Sequence, residues 1–498
     1  MKDLVCDIKA KLVEIKKGAV TKLKNSSFKS VLISLGYLFQ LSAYFSIPAV
    51  FYGLFVNEVK ATLSVLLTTV LFFSIGFPMQ SLGKLESLNV KQSSILVILF
   101  FVFSPLIKTI PYIYMGIFQG NFFNQLINSY FETTSAFSTT GLTLIQDIPS
   151  LPGTLLLNRG LSQWVGGIGV VFVLISFFHS KKGVFPLGKV IGIKRMKNLS
   201  SSYKLTFEMV LFIYIIYTVI LMILLMIFGV NPFDAVQSTL SIYSTTGMTR
   251  ANIFNFPLAA IVIVAVMMLF SSLSFQFHLA LWKKKWKELF DRELKFYMIL
   301  LVIFIMLFWM TSGFSIFRSI FHVFDFSPSV GLDLLDFSEI NSVCKMVLVV
   351  MMFIGPTAFS IGGGIRAQRF YILLKMLFKL PEIMLTGKIP QIKIGEVEFS
   401  RKDIIVTLLI IFLFLGLSIF AAIILTGYDY TFIDGLVESV SAITTTGDSP
   451  KNLTPSYPLI PKLILIFLMI AGRIEIYPVL LVFSKVKEKT RKALKINS

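Results

Sequence analysis

Charged residues are scarce in this sequence, and so are cysteine and histidine. Only 14% of the 498 residues are Asp, Glu, Lys or Arg, where a soluble domain carries about a quarter. The two cysteines, Cys6 and Cys344, stand far apart and in different settings, which excludes a disulfide framework and a cysteine-built metal site. The histidines His179, His278 and His322 have no metal-ligand spacing; His179 and His278 fall near the ends of apolar runs and read as interfacial side chains. There is no phosphate-binding loop, no nucleophile elbow and no pair of catalytic acids in a plausible setting, so the chain is not expected to be an enzyme. The first thirty residues carry too much charge for a cleaved signal peptide and read as a cytoplasmic amphipathic lead-in.

What the sequence has in abundance is apolar surface. Hydrophobic residues make up 55% of it, fifty of them Phe, and the mean hydropathy is +0.82. Cores of ordinary domain size cannot bury so much; a bilayer can. A spanning helix needs roughly 20 mainly apolar residues, and such runs lie near 31–55, 61–81, 94–117, 155–179, 205–229, 256–282, 296–314, 342–373, 403–426 and 458–485, the eighth interrupted by glycines.

The formal charge of +20 could suggest a nucleic-acid partner, but its distribution argues against one. Lysines and arginines gather in the tail from Lys9 to Lys24, between Lys181 and Lys197, at Lys283, Lys284, Lys285 and Lys287, and from Lys485 to Lys492. These are alternate connections, and positive loops stay in the cytoplasm. The expectation is a multi-pass protein of the cell membrane with both termini cytoplasmic. The basic loops would suit anionic lipid.

Between the runs the chain repeats itself. The stretch from Asn128 through Glu132 and Ser135 to Gly141 aligns without a gap with that from Asp434 through Glu438 and Ser441 to Gly447. A third copy runs from Asp234 through Gln237 and Ser241 to Gly247, and a weaker fourth reads Phe326-Ser-Pro-Ser-Val330-Gly331. Each copy lies between two apolar runs. The unit is therefore span, short half-helix, Thr-Gly loop, span, with the first two spans left as an N-terminal hairpin. A short helix entering from outside aims its partly negative C-terminus at the membrane centre and favours a cation there. Carbonyls of the following loop can replace an ion's hydration shell, and glycine supplies the backbone angles. Four such loops around one axis make a pore with pseudo-four-fold symmetry. His322 lies in the third half-helix, where it either touches that pore or packs beside it.

These residues resemble the Trk/Ktr/HKT superfamily of potassium transporters, whose single chain carries four pore-loop units. Arg159-Gly-Leu-Ser-Gln163-Trp164-Val-Gly166-Gly167-Ile-Gly169 is similar to the first inner-helix signature. Gly362-Gly363-Gly364-Ile365-Arg366, with Arg369 and Lys375, is similar to the glycine-rich break of the third inner helix, and Gly472-Arg473-Ile474-Glu475-Ile476 to the motif of the last. The hairpin resembles the Trk branch.

The resemblance implies an all-α polytopic membrane protein, divided into a cytoplasmic segment at 1–30, a hairpin at 31–90 and pore repeats at 91–203, 204–295, 296–402 and 403–498. The third repeat would include the gate loop and a cytoplasmic linker, and the fourth a basic tail. It implies a selectivity filter at Gly141, Gly247, Gly331 and Gly447, with potassium held by the carbonyls of Thr140, Thr246, Val330 and Thr446. Phe359, Ser360, Gly362, Gly363 and Gly364 would form an intramembrane gate beneath it, joined by Arg473, whose charge in a span is costly and functional unless it pairs with Glu475 or a neighbouring helix. Phe359 either plugs the pore or packs against a neighbour.

The expected function is gated potassium uptake, with Na+ or Rb+ as further ions, by a homodimer lacking an organic cofactor in this chain. A separate cytoplasmic nucleotide-binding subunit would regulate it. The third filter departs from the family at Pro328 and Ser329, and acidic residues flank the loops at Asp333 and Asp448. The alternatives are a symporter coupled to H+ or Na+ through Asp333, Asp448 or Glu475, and a non-conducting sensor. The stretch 389–400, with Gly395, reads as a short cytoplasmic strand or hairpin.

Overall fold

The computed structural model describes residues 28–483, apart from residue 87 and residues 179–202, 290, 388–389 and 395–396. The lead-in up to residue 27 with Cys6, the basic clusters at 181–197 and 485–492, His179 and Gly395 lie outside the described residues.

Apolar runs become helices, and the longest are those that meet lipid. Among the described residues six helices have the length and apolar character to cross a membrane: Lys29–Phe55, Val59–Gln80, Val90–Met115, Glu208–Ile227, Arg292–Ser312 and Arg401–Thr426. The first two are the N-terminal hairpin. They cross closely, since a Cβ on Gly36 would stand 2.7 Å from the Gly76 carbonyl oxygen, an approach that small residues permit between membrane helices. The other four are the outer helices of four consecutive units. Their free faces carry side chains such as Met310 and Phe412, each 73% exposed, which suits a hydrocarbon solvent.

Each outer helix is followed by a short helix that does not span: Phe122–Phe137, Pro232–Tyr243, Ile316–Phe326 and Phe432–Ile443. Their starts are set by side-chain caps. Asn121, Asn231, Ser315 and Thr431 accept hydrogen bonds from the backbone N–H of Asn124, Phe233, Arg318 and Asp434, satisfying donors that a helix start leaves open. Toward their C-termini these half-helices are buried on all sides.

The inner helices close each unit, and here the expected spans are subdivided. The first, Gly153–Phe178, is continuous. The run 256–282, expected as one span, is two helices, Leu258–Ser272 and Phe275–Trp282, bent by 106°. The third is broken between Ser342–Ile354 and Ala367–Phe378, where the glycines stand. The run 458–485 is also two helices, Leu459–Arg473 and Tyr477–Phe483, joined through Glu475 and Ile476 at φ +61° and +58°. Positive φ is a strained conformation for a β-branched residue such as Ile476. Irregular backbone at membrane depth survives only where protein or water surrounds it, so these breaks point to the interior of the four-unit assembly. The stretch 389–400 contains a two-stranded antiparallel ribbon, β1 (Ile392–Ile394) and β2 (Val397–Phe399), with Ile392 opposite Phe399. Its buried side chains pack with Ile372 and Ile404.

Candidate functional site

The four half-helices end in the same way. In each, the residue two before the glycine has left-handed backbone: Thr139, Thr245, Ser329 and Thr445 at φ between +52° and +63°. Its N–H donates three residues back, and the next N–H donates five residues back. Thr140, Thr246, Val330 and Thr446 thus reach the carbonyls of Ser135, Ser241, Asp325 and Ser441 at 2.8–3.0 Å. This is a Schellman cap made four times without glycine at its left-handed position. The third copy, weak in sequence, is equal to the others in backbone geometry.

Beyond the cap the chain turns toward its neighbours. A Cβ on Gly141 would lie 2.3 Å from the Thr246 oxygen, one on Gly247 would lie 2.4 Å from the Val330 oxygen, one on Gly331 1.6 Å from the Thr446 oxygen, and one on Gly447 2.0 Å from the Thr140 oxygen. The loops therefore meet in a closed ring in chain order. The carbonyls of Thr140, Thr246, Val330 and Thr446 lie against the glycine of an adjoining unit. All four glycines have positive φ, from +64° to +108°, so a side chain is excluded by strain as well as by space.

Hydroxyl groups brace three of the loops. Ser138 with Thr140, Ser244 with Thr246, and Thr444 with Thr446 form hydroxyl pairs at 2.7, 2.8 and 2.9 Å. Pro328 and Val330 take these places in the third loop, where proline's fixed φ stiffens the turn that hydroxyls stiffen elsewhere. Buried polar groups hold the strands that leave the ring. Glu132 accepts from Thr143 Oγ1 and the Leu144 N–H and pairs with buried Arg159. Gln237 donates to the Met248 carbonyl and accepts from the Arg250 N–H. Asp325 accepts from the Leu332 N–H at 3.1 Å, and Glu438 accepts from Ser449 Oγ. Each exit strand is thereby fixed to its own half-helix.

Beneath the ring lies the break of the third inner helix. A Cβ on Gly362 would lie 2.0 Å from the Pro328 oxygen, and one on Gly363 1.9 Å from the Thr444 oxygen, so this loop presses against the third and fourth loops of the ring. Gly364, at φ +78°, packs back against Gly355. The loop is tied at both ends. Thr357 donates through its N–H and hydroxyl to the Ser272 carbonyl, the Ala358 N–H donates to Glu293 Oε1 at 2.6 Å, and the Phe275 N–H donates to the Phe359 carbonyl at 3.1 Å. Phe359 packs edge-on against Phe275 at the bend of the second inner helix. Arg366 donates to Ser360 Oγ at 3.1 Å.

Arg473 is 3% exposed and reaches three carbonyls: Ile361 at 3.2 Å in the loop, and Gly166 and Gly167 at 3.1 and 3.2 Å in the first inner helix. One guanidinium thus joins units 1, 3 and 4. Glu475 is engaged elsewhere, with Arg369 and with Arg366 at 3.7 Å.

All the filter and gate residues singled out in the sequence are brought into this one region. The histidine readings change. His278 is buried rather than interfacial, its ring nitrogens 3.2 Å from Tyr217 Oη and 3.1 Å from the Phe270 carbonyl. His322 is buried among the rings of Phe254, Phe308, Phe314, Phe321 and Phe326. Sequence reading missed Glu293, which acts 65 residues from its partner and leaves no local signal. It also missed Lys108, buried and donating to Ser46 Oγ at 2.7 Å and Asn158 Oδ1 at 2.8 Å. A lysine inside an apolar run was the available signal.

The geometry defines a class: an all-α polytopic membrane protein with four re-entrant loops around one axis. Comparison with known proteins finds likenesses along the chain. Residues 306–493 match the TrkH family model, described as cation transport protein. An uncharacterized cation transporter of Methanocaldococcus jannaschii is 27% identical over 96% of this chain and 99% of its own length. The Trk system potassium uptake protein TrkG of Escherichia coli is 25% identical over 93% of this chain and 99% of its own. The crystal structure of the potassium transporter TrkH from Vibrio parahaemolyticus has the same fold, with a TM-score of 0.78, 19% identity, and coverage of 92% of this chain and 99% of that one. Over most of its length the chain is thus similar to Trk-type transport proteins.

Proposed function

We propose that this chain takes up potassium through a gated cation-conducting pore along the axis of the four loops. The observation that carries the reading is the closed ring, in which the carbonyls of Thr140, Thr246, Val330 and Thr446 lie against the glycines of adjoining units. Each half-helix C-terminus contributes a partial negative charge of roughly half an elementary charge, and four of them converge here. Carbonyl dipoles held by caps and hydroxyl pairs can replace water around a monovalent ion without rearranging. Relatives bear the name potassium uptake protein, and that name agrees with the site.

In this reading Thr140, Gly141, Thr246, Gly247, Val330, Gly331, Thr446 and Gly447 are the selectivity filter. The loop with Phe359, Ser360, Gly362, Gly363 and Gly364 is the gate. Arg473 is the clamp that holds the gate up, and Phe359 is an anchor at the helix bend. Moving the loop requires giving up the Arg473, Glu293 and Ser272 contacts together, so the closed state is held cooperatively. The repeats keep the boundaries 91–203, 204–295, 296–402 and 403–498. The protein works in the cell membrane with both termini cytoplasmic, as a homodimer, regulated by a nucleotide-binding subunit on its cytoplasmic side. The cap geometry of the third loop, equal to that of its neighbours, supports conduction over a purely sensory role.

The test is complementation. Cells stripped of their own potassium uptake should regain growth at low potassium when they express this chain, and Gly141→Asp should abolish the rescue without lowering the amount of protein in the membrane. Membrane-inserted wild type that gives neither growth nor rubidium uptake refutes the reading.

A further inference from the structure

The ring departs from its own repeat at two places, and both fall in one seam. Six residues before the glycine stand Ser135, Ser241 and Ser441 in units 1, 2 and 4, but Asp325 in unit 3. Directly after the glycine stand Leu142, Met248 and Leu332, but Asp448 in unit 4. Units 3 and 4 are neighbours in the ring. Asp448 Oδ2 lies 2.9 Å from where a Cβ on Gly331 would be, so its carboxylate enters unit 3 beside the filter.

Asp325 and Asp448 are both fully buried. Asp325 accepts from the Leu332 N–H, whereas the carboxylate of Asp448 is faced by the Asp333 backbone N–H alone and has no side-chain partner. The charges that act on Asp448 are those of Asp325 and Asp333, both of its own sign. Asp333 is exposed on the outer side of the same seam. Among the described residues no lysine or arginine is ion-paired with any of the three. Two adjacent buried carboxylates cannot both stay ionised without a positive partner. Among the described residues no three acidic, histidine or cysteine side chains are grouped as a metal centre, so a chelated divalent ion is not the partner this seam is built for. A weakly held monovalent ion is, because filter carbonyls stand beside the carboxylates to complete its shell.

We propose that Asp448 and Asp325 hold a monovalent cation of the transported class in the seam between units 3 and 4, beside the outer part of the carbonyl ring, with Asp333 drawing ions to it. The proposal rests on the reading of the ring as an ion pathway. It makes one quadrant of a nominally four-fold entrance acidic and assigns Asp448 a part in setting apparent affinity.

The variants Asp448→Leu and Asp325→Ser each restore what other units carry, which protects the fold. The experiment is equilibrium binding of radioactive rubidium to the purified full chain in detergent, paired with thermal unfolding in choline and in potassium buffer. Loss of a charge-assisted contact should raise half-saturating rubidium roughly ten-fold in either variant. In choline Asp448→Leu should melt at or above the wild-type temperature, because a buried charge without a side-chain partner has been removed, and potassium should stabilise both variants less than it stabilises wild type. A merely structural role would not give this crossing. Equal rubidium affinity in wild type and variants overturns the proposal and leaves the pore reading intact. So does a wild type stabilised by acid and not by potassium, since the pair would then share a proton. Folded wild type that binds no rubidium overturns the pore reading as well.

Discussion

Gly141→Ala is the smallest perturbation that tests the ring. The added Cβ would stand 2.3 Å from the Thr246 oxygen and 3.4 Å from the Thr446 oxygen. Carbon and oxygen approach one another to about 3.3 Å, so the Thr246 carbonyl must retreat by roughly 1 Å. Holding a side chain at the φ of +108° found here adds strain of about 1–3 kcal/mol. Displacing one of four carbonyls costs the ion a contact comparable to a charged hydrogen bond, about 1.5–3 kcal/mol. At 1.4 kcal/mol per factor of ten, that is roughly a ten- to hundred-fold loss in ion affinity. Rubidium uptake into proteoliposomes as a function of concentration reads this directly, with thermal unfolding to show that the protein is folded. Gly416→Ala is the control. Nothing lies within 4 Å of its added Cβ, and alanine in that outer helix is favoured by up to about 1 kcal/mol. Folded Gly141→Ala protein with unchanged half-saturation and unchanged preference for potassium over sodium would refute the argument.

Three further outcomes are expected. Arg473→Ala removes the donor shared by the Ile361, Gly166 and Gly167 carbonyls and should raise basal flux several-fold; an unchanged or lower flux in folded protein would count against a clamp. Glu293→Ala releases the Ala358 N–H and should also raise basal flux, whereas Glu293→Gln, which keeps an acceptor oxygen, should stay near wild type; equal behaviour of the two would separate Glu293 from the loop. Glu132→Ala leaves Arg159 buried without its carboxylate and should destabilise the protein by about 3–5 kcal/mol; thermal unfolding showing a smaller loss than the double variant Glu132→Ala/Arg159→Ala would contradict the pairing.

Much of this arrangement was legible in the sequence because it is local and repeated. Apolar length marks the outer helices, and the Ser/Thr-Gly endings at fixed offsets mark the loops. The third loop was harder to read. Its identity lies in the left-handed backbone at Ser329 and in the N–H contacts of Ser329 and Val330, not in the hydroxyls that make the other three recognisable. Counting back from Gly331 would have placed Asp325 at the serine position. The breaks in the second and fourth inner helices were illegible for a different reason. Ser271, Ser272, Leu273 and Ser274 do not forbid a helix. The bend at this point is held by Thr357 and Phe359, which are far away in sequence. The same holds for Glu293 and for the three-unit contact of Arg473: such tethers exist only once the units have assembled.

The central claim, that the ring conducts potassium, is tested most directly with the purified chain in proteoliposomes under an imposed potential, comparing potassium, rubidium and sodium. The account predicts potential-driven potassium and rubidium uptake that exceeds sodium uptake and falls steeply in Gly141→Ala. Folded wild type that passes none of the three ions, or passes them equally with and without the substitution, would contradict it.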